Sequence, residues 1–254
     1  MGEIELDHIY NEDCLIGMRD IPDATVDAII CDPPFGTTVC KWDIIIPFEP
    51  MWAEFRRVTK PNAPVVLFSA GMFTWSIINS NPKDFRYRMI WKKNVPTGMA
   101  SASHRPMKYF EEICVFGSVE STYNPQMKGR VGEHTECYRY DHYCADNNHI
   151  NVGKVKKRYD PHRVLPSDVL EFDVVPNRNG KVHPTQKPVD LLRYLIRTYS
   201  NEGDTILDAT IGSGTTAIAA MREKRHFLGF ETNKEYYDIA SRRIADELRQ
   251  PTLF

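Results

Sequence analysis

The chain has no apolar run approaching the roughly 20 residues that span a bilayer, which excludes an ordinary transmembrane helix. Its first residues, Met1-Gly2-Glu3-Ile4-Glu5, are acidic and lack the apolar stretch of a secretory signal. Six cysteines are scattered through 254 residues with no tight Cys-x-x-Cys pair. They read as reduced thiols of a cytoplasmic protein rather than as a disulfide framework. Positive charge is not in excess either, because the formal net charge is −2. A global nucleic-acid signature is therefore missing, although a local basic patch is enough to grip phosphates. There is no internal repeat and no low-complexity tract. What remains is an ordinary globular composition, 42% hydrophobic and 26% charged. The length suits one large α/β domain or a domain with an inserted lobe.

Strand-like and helix-like patterns alternate along most of the chain. Residues 26–31, 64–69, 85–91, 112–116, 204–208 and 226–230 read as short strands. Residues 48–60, 72–79 and 215–224 read as helices, the first ended by Pro61. Pro188 opens another helix at its first position, followed by Val189, Leu191, Leu192, Leu195, Ile196 and Tyr199 at helical spacing. Asn233 is placed to cap a last helix, along which Tyr236, Ala240, Ile244 and Leu248 step by four. The regular pattern fades between residues 118 and 183. Strands alternating with helices predict an α/β fold with a parallel-rich sheet.

Two peptides carry the chemistry. One is Cys31-Asp32-Pro33-Pro34-Phe35-Gly36, at the end of an apolar strand. The other runs Ile206-Leu207-Asp208-Ala209-Thr210-Ile211-Gly212-Ser213-Gly214-Thr215-Thr216. Its Gly212-x-Gly214-x-x-Ala217 fits a loose nucleotide-binding turn between strand and helix. Glu231 ends the next strand, where an acidic side chain can accept bonds from both ribose hydroxyls. Alone, this turn fits a nicotinamide dehydrogenase, or a Gly-rich turn with no ligand at all. Order decides between them. Only 23 residues follow Glu231, too few for the further strand–helix units of a dinucleotide fold. The rest of the sheet must come from the N-terminal part, which puts Asp32 ahead of the cofactor half.

That order, with both motifs, resembles the β-class S-adenosylmethionine-dependent DNA amino-methyltransferases, which modify adenine N6 or cytosine N4. The resemblance covers nearly the whole chain. Asn11-Glu12-Asp13-Cys14-Leu15 is similar to the family's opening segment, whose Asp meets the cofactor adenine. The segment from Ile21 to Asp27 is similar to the lead into the catalytic strand, and Asp32-Pro33-Pro34-Phe35 to the catalytic motif. His183-Pro184-Thr185-Gln186-Lys187-Pro188 is similar to the segment that folds over the methionine end of the cofactor. Residues 208–216 resemble an Asp-Pro-Phe-x-Gly-Ser-Gly-Thr-Thr pattern, except that Ala209-Thr210 stand where Pro-Phe is usual.

The resemblance implies a Rossmann-like sheet in circularly permuted order. Residues 1–93 form the catalytic half, 94–182 a target-recognition region and 183–254 the cofactor half. It implies catalytic roles for Asp32, Pro33, Pro34 and Phe35. It implies cofactor contacts from Asp13, Cys14, Asp32, His183, Thr185, Lys187, Asp208, Thr210, Gly212, Gly214, Thr215, Thr216 and Glu231. Asp at the head of the motif goes mostly with adenine. Double-stranded DNA is the implied partner, and a second copy of the chain or a cognate restriction nuclease is compatible with it. Cytosine N4 as the target, an RNA amine as substrate, or a non-catalytic DNA-binding module with a vestigial cofactor site, are the competing readings.

Residues 92–182 carry 14 Lys and Arg against 11 Asp and Glu, a local excess of positive charge. Lys154, Lys156, Lys157, Arg158 and Arg163 crowd together there, as a solvated loop or as contacts to phosphates. His134, Cys137, His142, Cys144 and His149 are zinc-ligand types, but their spacing matches no standard finger. With Tyr138, Arg139, Tyr140 and Tyr143 they read instead as a recognition loop, and no metal is expected.

Overall fold

In the computed structural model, residues 4–38, 43–129, 163–176, 182 and 186–249 are described. The chain divides into two units, Met1–Asn124 with Asp168–Phe254, and Pro125–Ser167. The second is narrower than the 94–182 region expected from sequence. Its described part is one small antiparallel pair, β6 (Lys128–Gly129) and β7 (Arg163–Val164). Lys154, Lys156, Lys157, Arg158, Arg139 and the His134 to His149 group lie outside the described residues.

The first unit is built on eight strands. In chain order they are β1 (His8–Tyr10), β2 (Ala28–Cys31), β3 (Val65–Ser69), β4 (Phe85–Thr97), β5 (Lys108–Phe116), β8 (Val169–Glu171), β9 (Thr205–Asp208) and β10 (His226–Phe230). They lie in the order β1-β10-β9-β2-β3-β5-β4-β8. The first five in that order are mutually parallel, β5 runs antiparallel to β3 and β4, and β8 runs parallel to β4. Every residue of β2, β3 and β9 is buried. Strands covered on both faces need apolar side chains on both, which explains continuous runs such as Ala-Ile-Ile-Cys.

The helices supply those covers. Ala28 and Ile30 belong to a core shared with α4 (Val189–Tyr199), α5 (Thr215–Arg222) and α6 (Lys234–Arg249). Ile29 and Cys31 face α1 (Cys14–Gly17), α2 (Phe48–Val58) and α3 (Met72–Ser80) on the other side. From adjacent strands the chain departs in opposite directions, β9 through α5 to β10 and β2 through α2 to β3. Such a reversal opens a crevice at the carboxyl ends of the two strands, where ligands bind in open α/β sheets. Asp32 and Asp208 stand at those two ends.

Several boundaries differ from the sequence reading. β4 and β5 extend to Thr97 and back to Lys108, where strand pairing and not burial holds them, since Val95, Tyr109 and Phe110 there are exposed. β1 and β8, three residues each, were not expected. Pro188 is the N-cap of α4 rather than its first helical residue. In α6 only Ala240 and Ile244 of the four-step series are buried, and Leu248 is exposed. Asn233 does cap that helix, its Oδ1 accepting the amides of Glu235 (2.9 Å) and Tyr236 (3.3 Å).

Candidate active site

A cavity of about 650 Å³ opens at the carboxyl ends of β2, β9 and β10. That volume suits a nucleoside-sized ligand. Asp13, Cys14, Asp32, Pro33, Pro34, Phe35, Lys187, Asp208, Thr210, Gly212, Thr215, Thr216 and Glu231 all border it. Gly214 does not. Its left-handed backbone (φ +79°) turns the chain into α5 while its α-carbon faces Ala240 of α6. His183 and Thr185 lie outside the described residues.

The glycine turn is held by its own side chains. Asp208 Oδ1 accepts the Thr210 amide (3.1 Å), and Oδ2 accepts the Thr216 hydroxyl (2.5 Å). Burial pushes this carboxyl up to about 6, against the opposing pull of Thr216. Both oxygens are thus engaged within the turn, so Asp208 shapes the cradle. Across the cavity, Glu231 Oε1 accepts the Asn233 amide at 2.7 Å. Burial raises its pKa, while the amides of Asn233, Gly212 and Thr232 pull it back. Asp13 caps α1 through the Leu15 amide at 2.8 Å. Beside it, burial and the Asp13 charge push the Cys14 thiol up to about 12, so it stays neutral.

Asp32 is a quarter exposed, toward the cavity. Its Oδ2 binds Lys187 Nζ at 2.5 Å. Its Oδ1 is buried and has no hydrogen-bond partner among the described residues. An orphaned carboxylate oxygen costs free energy unless a ligand donates to it. Burial raises the Asp32 pKa, and Lys187 opposes the rise. Thr210, where the resembled family has Phe, donates its hydroxyl to the Asp32 carbonyl (2.9 Å) and lies 3.1 Å from Cys31 Sγ. The departure from the family pattern thus links the Gly212 turn to the Asp32-Pro33-Pro34 turn. Phe35 stacks on Phe73 with centroids 5.0 Å apart, which leaves only its remaining surface for a ligand.

Sequence reasoning missed three charged residues here. Lys93 and Glu111 border the cavity and are joined at 2.5 Å. A signal for Lys93 was present: strand alternation puts it on the same face as Met89 and Trp91, both buried. Asp43 accepts the amides of Gly36 (2.8 Å), Thr37 (2.9 Å) and Thr38 (2.6 Å), and so folds the loop after the Asp32-Pro33-Pro34 turn. Burial opposes the ionisation of Asp43, but those bonds outweigh it and lower its pKa. Among the described residues, no group of three His, Cys, Asp or Glu could hold a metal ion. None of their helices is long and apolar enough to cross a membrane.

Comparison with known proteins follows the same lines. Residues 26–242 match the model of a family described as DNA methylase, of the N6/N4 type. The Type II methyltransferase M.BglII of Bacillus subtilis is 28% identical over 267 residues, covering 95% of this chain and 70% of its own. The Type II methyltransferase M.HpaI of Haemophilus parainfluenzae is 27% identical over 253 residues, covering 91% and 71%. Among solved structures, the M1.HpyAVI–SAM complex superposes with a TM-score of 0.61 at 24% identity, over 93% of this chain and 98% of that one. PvuII DNA methyltransferase, cytosine-N4-specific, superposes at 0.62 and 15% identity, over 94% and 90%. At these identities the superpositions speak for the fold.

Proposed function

The chain belongs to the S-adenosylmethionine-dependent DNA methylase family of the N6/N4 type, and on that premise we propose that it methylates the exocyclic N6 of adenine within a specific sequence of double-stranded DNA. The observation that carries this reading is the unpartnered Oδ1 of Asp32, buried at the wall of the cavity. It is an acceptor waiting for a donor, and an exocyclic amine is a donor.

The residues present fit the cofactor. Glu231 would accept the ribose hydroxyls, the Gly212 turn would pass close to the nucleoside, and Asp13 with Cys14 would border the adenine. Lys187, with His183 and Thr185 of the same segment, would face the methionine end. When bound, S-adenosylmethionine supplies an activated methyl group on a sulfonium. The chain's own work is then orientation, which accounts for a large part of the barrier in such transfers. A base amine is a poor nucleophile because its lone pair is conjugated with the ring. Asp32 Oδ1 would accept one N–H and the Pro33 carbonyl the other, which favours a pyramidal nitrogen with its lone pair exposed. Proline at 33 and 34 removes competing donors from this turn. The amine proton lost on methylation passes to Asp32. A base inside a duplex cannot reach this wall, so the target nucleotide must be extruded.

Adenine is favoured over cytosine by Asp, rather than Ser, at the head of the motif. Recognition of the surrounding sequence is assigned to the 94–182 region. There Lys154, Lys156, Lys157, Arg158 and Arg163 would contact phosphates, and Arg139 would be one of the base readers. The Type II naming of both relatives supports a place beside a cognate restriction nuclease. The test is nucleoside analysis by mass spectrometry of DNA from cells expressing the chain. N6-methyldeoxyadenosine at one sequence motif is expected. N4-methyldeoxycytidine in its place would overturn the adenine assignment and keep the family.

A further inference from the structure

Two residues that no motif contains extend a chain of alternating charge from Asp32. Lys187 Nζ lies 2.5 Å from Asp32 Oδ2 and 3.2 Å from Glu111 Oε2. Glu111 Oε1 lies 2.5 Å from Lys93 Nζ. Lys187 and Lys93 are both almost fully buried, at 8% and 5% exposure. Two carboxylates and two ammonium groups therefore alternate, with no net charge, along one wall of the cavity. Lysine is rarely buried unless paired, and a buried lysine held by two carboxylates has its ammonium fixed in direction. Rings frame both: the Phe68 face lies 5.0 Å from Lys187 Nζ, and the Trp91 face 5.2 Å from Lys93 Nζ.

We propose that Glu111 and Lys93, on the facing strands β5 and β4, are positioning residues that hold Lys187 on one oxygen of Asp32 and so leave the other aimed at the substrate amine. The proposal rests on the amine-methylating reading of Asp32. Glu111 is the pivot. Its Oε2 is ion-paired with Lys187 and its Oε1 with Lys93, so Lys93 keeps Glu111 in place. Without Glu111, Lys187 is free to swing across both oxygens of Asp32 and occlude the substrate's acceptor.

The arrangement has a signature that packing alone does not give. The charged groups facing Asp32 are Lys187 ahead of α4, Glu111 of β5 and Lys93 of β4, with Asp208 at the end of β9 a weaker neighbour. Glu111 opposes ionisation of Asp32, whereas both lysines favour it. Glu111→Gln should therefore lower the Asp32 pKa, and Lys93→Met should raise it. Transfer needs Asp32 ionised, so the acid limb of kcat moves in those same opposite directions. A displacement of about 1 Å at a reacting group costs on the order of a hundredfold, so plateau kcat should fall tenfold or more in each variant. KM for DNA should change little.

The experiment pairs two readouts on the full chain. Carbon-13 NMR follows the Asp32 carboxyl through a pH titration in the parent, Glu111→Gln, Lys93→Met and the double variant. The pH profile of kcat follows tritiated methyl transfer to DNA. Opposite displacements in the single variants, and a return toward the parental pH in the neutral double variant with kcat still reduced, are expected. Displacement in the same direction, or an unreduced kcat in the double variant, would overturn the proposal. The double variant keeps the charge balanced, so it supplies the reading if a single variant fails to fold. Should the parent methylate no DNA at all, the functional reading falls, while the NMR titration still decides whether Glu111 and Lys93 govern Asp32.

Discussion

Replacing Glu231 tests the cofactor half of the site in isolation. The side chain ends β10, and its Oε1 already accepts the Asn233 amide at 2.7 Å. Helix α6 does not depend on it, because Asn233 caps that helix with its own side chain. Glu231→Ala therefore removes ligand contacts without unravelling the fold. Hydrogen bonds to a charged acceptor are each worth about 1.5–3 kcal/mol. The loss corresponds to a rise in dissociation constant of roughly tenfold to a hundredfold. Glu231→Gln keeps an acceptor but loses the charge, and should fall between the parent and the Ala variant. The pH dependence has a definite sign. Burial raises the Glu231 pKa, and a protonated carboxyl presents a donor where the ribose needs an acceptor. Parental affinity should thus be full at neutral pH and decline as pH falls through that raised pKa, and the decline should be missing in Glu231→Ala. Calorimetric titration with S-adenosylhomocysteine reads both effects. An unchanged affinity in a normally melting Glu231→Ala protein would mean that the ribose is held elsewhere.

Three further outcomes follow from other parts of the structure. Gly214→Ala should lower Tm by about 4–8 °C, equivalent to ~2 kcal/mol for a chain of this size. Its backbone sits at φ +79°, and a β-carbon there would meet Ala240 Cβ at 3.0 Å and Ala240 Cα at 3.2 Å; thermal unfolding gives the answer. Thr210→Val should reduce kcat about fivefold to tenfold, the worth of one hydrogen bond to the Asp32 carbonyl, and Thr210→Ser should restore it. Steady-state kinetics that find Thr210→Val fully active would remove that link from the account. Replacing Lys156 and Lys157 with Ala should weaken binding to all duplexes alike, and flatten the log–log salt slope by about 0.9 for each phosphate no longer neutralised. A parental slope with a changed target sequence would make them base readers instead.

The parts of the molecule that sequence exposed are those where local and tertiary demands coincide. β10 and the Asn233 cap of α6 were legible because an apolar strand and an N-cap residue each have one good local solution. The family was legible because the two motifs stand in a particular order along the chain. The hairpin β4–β5 was only half read. Its outer ends, from Lys92 to Thr97 and from Lys108 to Glu111, mix charged and apolar residues without a clean alternation, and pairing between the strands is what makes them strand. That pairing also brings Lys93 and Glu111 together across 18 residues of sequence, so their partnership was invisible until the register was known. Leu248 shows the converse. Its spacing matches the stripe of Ala240 and Ile244 in α6, but near the end of the helix it joins no core cluster and is exposed.

The central claim is that one cavity holds the methyl donor at the Gly212 turn and the acceptor amine at Asp32. Its most direct test measures, on the same preparations, transfer of tritiated methyl from S-adenosylmethionine to duplex DNA and to RNA, and binding of S-adenosylhomocysteine, for the parent chain and for Asp32→Ala. Label on DNA and not on RNA is expected from the parent, and no label from Asp32→Ala, with its affinity for S-adenosylhomocysteine reduced only modestly. Near-normal transfer by Asp32→Ala would remove Asp32 from the reaction, and a parent that binds the cofactor but labels RNA alone or nothing would overturn the assignment to DNA.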